Sequence, residues 1–292
     1  MRGFAAGLLL VVALGAACPA GASDPGVNVV AAENFYGDIA HQLAGDRISL
    51  VSIMTNPGED PHLFEVTPGI VRKVAAAQIV VLNGAGYDVW MERLLAAAPR
   101  PQRIVINAAE LTGYKAGDNS HIWYAPATMP AVAAAIASAL AKSDPEHAAN
   151  YAARLKTTLS SLADVAQHIA RLRAKHAGTP VTATEPVFGP MAEALGLTMR
   201  NQRFQLAVMN ETEPSARDIA AFEDDLRNRR VKVLIYNNQV SEKLTDRLRD
   251  IASKSGIPVV GVSETMPANV SYQKWLLSEL EALDKALGGP PS

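Results

Sequence analysis

Four side chains able to hold a metal ion stand at comparable places along the chain. His62 lies in DPHLFEVTPG, His121 in GDNSHIWYAP, Glu185 at the end of PVTATE and Glu264 at the end of IPVVGVSE. Imidazole nitrogen suits zinc, iron and manganese, while carboxylate oxygen adds charge and suits harder ions such as manganese. Two histidines and two glutamates together neutralise a dication in a partly dry cleft. Taken singly, each has an ordinary reading. A loop histidine is a solvated or capping side chain, Trp123 beside His121 suggests a packed aromatic corner, and a strand-end glutamate can face water. Glu185 differs in being followed by Pro186, Val187 and Phe188, an apolar setting in which a carboxylate calls for a partner. Glu59, Asp60 and Glu65 flank His62, where they either draw cations inward and orient the ring or form a solvated acidic loop.

The elements that must position these residues alternate short apolar runs with amphipathic segments, the pattern of βαβ units around parallel sheets. GVNVVAAE, RISLVSIM, QIVVLNG and RIVINAA read as strands in the first half, and PVTATE, VKVLIYNN and IPVVGVSE in the second. NFYGDIAHQLAGD reads as a helix capped by Asn34 and stopped at Gly45, with Phe35, Ile39 and Leu43 on one face. Thr67 and Pro68 open the next helix as cap and first-turn residue. FGPMAEALGL, PSARDIAAFEDDLRNRR, SEKLTDRLRDIASKSG (capped by Ser241) and SYQKWLLSELEALDKALGG are further helices. The rhythm stops at Asp144, after which no Gly or Pro follows Pro145 until Gly178. Tyr151, Leu155, Leu162, Val165, Ile169 and Leu172 fall there at helical spacing. About 33 residues of helix would run roughly 50 Å at 1.5 Å per residue.

The expected architecture is therefore α/β, with two (β/α) lobes built on parallel sheets and joined by one long helix. The boundaries read as a signal peptide over 1–22, an N-terminal lobe over 23–143, a linking helix over 144–177 and a C-terminal lobe over 178–292. In open α/β sheets ligands bind beyond the carboxyl ends of the strands. All four candidates lie on that side, two from each lobe, so the expected site is a cleft between the lobes. His41, His147, His168 and His176 fall on helices and are expected on solvated faces. Asn83, Trp90, Tyr236, Asn237, Asn238 and Gln239 lie at or just past strand ends, where they either line the cleft or close turns.

Composition narrows the function. MRGFAAGLLLVVALGAACPAGAS has a positive start, a short apolar run and small residues at Ala20-Gly21-Ala22, the features of a secretory signal cleaved after Ala22. Cys18, the chain's single cysteine, lies in that segment, and lipid anchoring there is the alternative. Gly15 stands where a lipid-anchor site would place a larger aliphatic residue, three positions before Cys18. The mature domain then has no disulfide and no cysteine chemistry. A formal net charge of −2 argues against a nucleic-acid partner.

DPHLFEVTPG, NSHIWYAP, TEPVFGPMAEALGL, NETEPSARDIAAF and SETMP, in this order over nearly the whole mature chain, resemble the metal-binding receptors of bacterial manganese/zinc ABC importers. That resemblance implies one ion held between two lobes spanned by a rigid helix. His62 and His121 match the family's two N-lobe histidines, Glu185 sits where relatives have His or Glu, and Glu264 sits where relatives usually have Asp. It implies a periplasmic, monomeric receptor that is not an enzyme. Its cargo is Mn(II) or Zn(II), and its partners are a membrane permease and a cytoplasmic ATPase. GYKAGDNS replaces the His-rich acidic loop of many zinc-dedicated relatives, and with the two carboxylates this leans toward manganese. Zinc, in turn, binds most N/O sites more tightly. Two other classes stand against this reading. An extracellular metallohydrolase would need three ligands, an open position for water and a base, and the chain has no HExxH or GxSxG. A receptor for chelated iron, haem or a corrinoid would need a wide aromatic or basic cleft, and 5% of the residues are aromatic.

Overall fold

A computed structural model of the protein describes residues 26–56, 58, 64–210, 212–240 and 242–288. The signal segment with Cys18, the residues Glu59, Asp60 and His62, and the cap at Ser241 lie outside the described residues.

The first half runs β1 (Val27–Glu33), α1 (Asn34–Ala44), β2 (Ile48–Met54), α2 (Pro68–Ala76), β3 (Ile79–Leu82), α3 (Val89–Ala97), β4 (Ile104–Asn107), α4 (Ala108–Thr112) and α5 (Thr128–Ser143). A long helix, α6 (Ala148–His176), follows. The second half runs β5 (Pro180–Ala183), α7 (Gly189–Ala194), β6 (Thr198–Arg200), α8 (Gln202–Met209), α9 (Ala216–Arg227), β7 (Leu234–Asn237), α10 (Lys243–Lys254), β8 (Val259–Val262) and α11 (Tyr272–Gly288). Each half forms a four-stranded parallel sheet with the same order, β2-β1-β3-β4 and β6-β5-β7-β8. The chain leaves β1 in one direction and returns to add β3 on its other side, and β5 and β7 repeat this. Loops diverge at such a switch point and open a crevice at the carboxyl end of the sheet.

Alternation along the strands divides the core. Val29 and Ala31 of β1 face the main cluster, whereas Val30 and Ala32 face a smaller one with Val74, Val80 and Met91. The main cluster does not stop at the boundary between the halves. Phe35, Ile39, Trp123 and Tyr124 pack in it with Val165 and Ile169 of α6, Trp275 and Leu280 of α11, and Val181 and Val260 of the second sheet. Thus α6 is not the sole link. α11 returns over α6 and α1, the Tyr272 backbone N–H donates to Asp38 Oδ2 at 2.9 Å, and the Tyr272 hydroxyl donates to Trp123 O at 2.5 Å.

Gly45 stops α1 with φ 60, and the Thr67 hydroxyl caps α2 through the Ile70 N–H, as local chemistry predicts. Asn34 departs from expectation. Glu33 holds the cap position, and Asn34 pairs with the Met266 backbone in both directions, at 2.6 and 3.1 Å. The long helix spans 29 residues, about 44 Å, and starts late because Pro145–His147 forms a tighter turn first. Asp144 anchors that turn by accepting from the Tyr151 hydroxyl at 2.6 Å and pairing with His147 Nδ1 at 2.8 Å. His41 is exposed as expected, and His147 and His168 are half-buried. His176 is not on a solvated face: it is 8% exposed and its Nε2 meets Asp284 Oδ1 at 2.6 Å.

Glu279 of α11 sits in the shared core, where its carboxyl meets the Tyr124 hydroxyl at 2.8 Å, Trp275 Nε1–H at 2.8 Å and Ser263 N–H at 3.3 Å. Burial pushes this carboxyl up to about 8 against the pull of those donors. The folded state therefore keeps a proton that the unfolded chain gives up near its ordinary value of 4.5. The stability this contributes is complete below that ordinary value and is lost as pH rises toward about 8, at a rate of at most about 1.4 kcal/mol per pH unit. Glu279→Gln, a neutral isostere, is expected to flatten the fall. Melting temperatures of both proteins at several pH values across that window check it, and parallel curves would refute it.

Candidate metal centre

β8 runs into Glu264, β5 runs through Thr184 into Glu185, and His121 opens the short turn Ile122–Tyr124 that precedes α5. Glu185 and Glu264 follow the strands on either side of β7 in the second sheet, and His121 reaches them from the first half. One ligand-capable atom from each of the three lies within 4.8 Å of the others. His121, Glu185 and Glu264 are 0, 4 and 1% exposed. So the structure brings these three together, including the two glutamates whose ordinary reading was a solvent-facing charge.

The imidazole is oriented from behind. Asn119 Oδ1 accepts from the His121 backbone N–H at 3.0 Å and meets Nδ1 at 2.7 Å. A carbonyl oxygen only accepts, which places a ring proton on Nδ1 and makes Nε2 the nitrogen turned into the site. Nε2 makes no hydrogen bond among the described residues and lies 3.4 Å from Glu264 Oε2. Asn119 Nδ2 donates across the halves to Pro186 O at 2.7 Å, tying the ring's support to the segment that follows Glu185. Trp123 packs edge-on against the ring at 5.3 Å.

The carboxylates are held as firmly. Asn237 Nδ2 donates to Glu185 Oε2 at 2.9 Å and to Glu264 Oε1 at 2.6 Å. The Tyr87 hydroxyl donates to Glu264 Oε2 at 3.0 Å. Gln239 Oε1 accepts from the backbone N–H groups of Glu264 and Thr265, at 2.5 and 3.0 Å, setting the bend at which Glu264 leaves its strand. A buried imidazole gathered with two buried carboxylates is a donor set for a divalent transition ion. A dication there neutralises charge that is costly to bury alone.

Of the strand-end polar residues, Asn237 and Gln239 serve the site directly. Asn83 supports it from the first half, accepting from the Tyr36 hydroxyl and donating to Ser120 O, each at 2.8 Å. Trp90 instead packs on Phe64 at 4.6 Å, Tyr236 lies under the Arg249 guanidinium at 4.1 Å, and Asn238 and Glu65 are exposed. Sequence reasoning missed Tyr87 and Asn119. Asn119 stands two residues before His121 and offered a signal; Tyr87 gave none, since its partner Glu264 is 177 positions away. A further carboxyl pair, Glu33 and Asp88, belongs to the first half. Burial and the charge of Asp88 push Glu33 well above its ordinary range, so this pair retains a proton.

A family model described as "ZnuA: Zinc-uptake complex component A periplasmic" matches residues 29–286. The manganese ABC transporter substrate-binding lipoprotein scaA of Streptococcus gordonii is 29% identical over 149 residues, 47% of this chain and 48% of that protein. The high-affinity zinc uptake system protein ZnuA of Bacillus subtilis is 23% identical over 310 residues, 97% of this chain and 95% of that protein. Among solved structures, the periplasmic zinc binding protein TroA from Treponema pallidum superposes with a TM-score of 0.74 at 20% identity, covering 89% of this chain and 98% of that one. The two-lobed fold is therefore common to both.

Proposed function

The chain belongs to the ZnuA family of periplasmic zinc-uptake components, and from that premise we propose that it is the receptor of an ABC importer. It captures one divalent transition ion, Mn(II) or Zn(II), between its lobes and delivers it to a membrane permease driven by a cytoplasmic ATPase. The observation that carries this reading is the convergence of the His121 imidazole with Glu185 and Glu264 from the opposite half. His62, outside the described residues, is the proposed fourth ligand. The receptor works in the periplasm as a monomer, after removal of its signal segment. No helix among the described residues is long and apolar enough to cross a membrane.

Four protein ligands would close the ion's sphere and leave no position for a reacting water, which separates a carrier from a metallohydrolase. Donors gathered within 4.8 Å suit a bare ion rather than a haem, whose iron arrives inside a macrocycle. Because α11, α6 and the Asn34–Met266 pair lace the halves together, release requires only a small shift that separates His121 from the glutamates.

Titration of the apo protein with Mn(II), Zn(II), Fe(II) and haem tests the reading. A bare dication at a thousand times its dissociation constant should add about 4 kcal/mol to stability and raise the melting temperature accordingly. Haem binding without any response to bare ions would overturn it.

A further inference from the structure

Asn119 stands between α4 and α5 in the first half, yet its side chain bridges the two halves beside two of the proposed ligands. Oδ1 accepts from the His121 backbone N–H at 3.0 Å and meets the ring's Nδ1 at 2.7 Å. Nδ2 donates to Pro186 O, the residue after Glu185, at 2.7 Å. The amide cannot be turned over. A backbone N–H only donates, so the atom facing it is the oxygen, and reversal would set that oxygen against Pro186 O.

The second half makes room for this amide at Gly189. A Cβ there would lie 2.6 Å from Asn119 Nδ2. Beyond its chain neighbours and its own helix, it would meet only Asn119 within 4 Å among the described residues. Gly189 has φ −53 and ψ −52, ordinary helical values that any residue adopts. Its backbone does not call for glycine; the approach of Asn119 does. Asn119, Pro186 and Gly189 together line a groove of about 750 Å3, and Asn119 is half-buried. The contact therefore lies at the rim of the seam, where water can replace a hydrogen bond that parts.

We propose that Asn119 is a positioning residue that ties the His121 ring to the closed arrangement of the halves, with Gly189 as the notch that admits it. Ion release begins when this contact opens. A shift that parts Asn119 from Pro186 leaves the amide anchored at one end only. The ring then loses the brace that holds Nε2 3.4 Å from Glu264 Oε2. The inference rests on His121 being a ligand, as proposed above.

Gly189→Ala tests this from the opposite half, altering neither a ligand nor Asn119. Zn(II) dissociation constants, and the rates at which a chelator strips Zn(II), are measured for wild type, Asn119→Ala, Gly189→Ala and the double variant. Each single variant should bind about tenfold or more weakly, chiefly through faster release, the scale of losses on removing a residue that orients a ligand. In the double variant the new methyl has no amide to strike, so binding should match that of Asn119→Ala. Wild-type affinity in Gly189→Ala, or a loss that adds in full to that of Asn119→Ala, overturns the inference. If Gly189→Ala does not fold, Asn119→Asp decides. It keeps both acceptor contacts with residue 121 but cannot donate to Pro186 O, so Zn(II) should leave faster than from wild type. An unchanged rate overturns the inference. A wild type that binds no dication at all defeats the receptor reading itself. One that binds Zn(II), with these variants unaffected, defeats only the role given to Asn119.

Discussion

In His121→Ala, affinity for Zn(II) and Mn(II) is expected to fall at least a hundredfold while the protein still folds. Structural zinc sites in peptides bind with about 10–16 kcal/mol, so each of four donors carries roughly 3 kcal/mol, or about two decades of affinity. The loss at His121 should reach that share, because the ring comes pre-aligned. Asn119 holds its Nδ1, Trp123 packs its edge, and Nε2 already faces Glu264. An unaligned ligand would spend part of its contribution on becoming ordered. The fold should survive because Asn119 keeps its bonds to the backbone N–H of residue 121 and to Pro186 O. Calorimetric titration of apo wild type and variant, with apo melting temperatures beside them, checks both halves. An unchanged dissociation constant would mean that the ion is held elsewhere and would remove the basis of the proposed function.

Trp275→Ala is expected to be the most damaging single truncation in the core. The indole is 2% exposed, stacks near Phe35 at 6.0 Å and Tyr124 at 5.5 Å, and donates to Glu279 Oε1 at 2.8 Å. Phe35 comes from the first helix, Tyr124 from the segment after His121 and Trp275 from the last helix, so one side chain joins three distant parts of the chain. Truncating a buried tryptophan costs about 3–5 kcal/mol through lost burial and the cavity left behind. Here the loss also takes a donor from the buried Glu279 carboxyl. At about 2–4 °C per kcal/mol for a chain of this size, the melting temperature should fall by roughly 6–20 °C. A fall of only a degree or two would show that the halves are stabilised separately and that the shared core counts for little.

The residues that local rules reach were legible in advance. IVVL of β3 is buried throughout and reads as a covered strand from its own four letters, and Gly45 and Thr67 end and start helices through chemistry confined to one turn. The rule that ligands sit past strand ends likewise pointed to His121, Glu185 and Glu264, whose ligand-capable atoms lie within 4.8 Å of one another. β6 and α8 went unread as separate elements. β6 is a three-residue edge strand with an exposed-intermediate-exposed pattern, too short and too wet for periodicity to register. His176 was misplaced because its partner, Asp284, lies 108 positions away.

Spacing within a run of a dozen residues thus settled which segments are strands and helices, since side-chain direction repeats every two residues in one and every 3.6 in the other. Packing settled which residues meet. Asn34 is a plausible cap by type, yet it bonds Met266 because α1 abuts the loop after β8 only in the folded protein. Asn237 looks like a turn residue in YNNQ until β7 is seated between β5 and β8, an order the chain does not follow along its length. Strand order and cross-lobe contacts arise from burying surfaces far apart in the polymer, and no local pattern encodes which distant surface will be the partner.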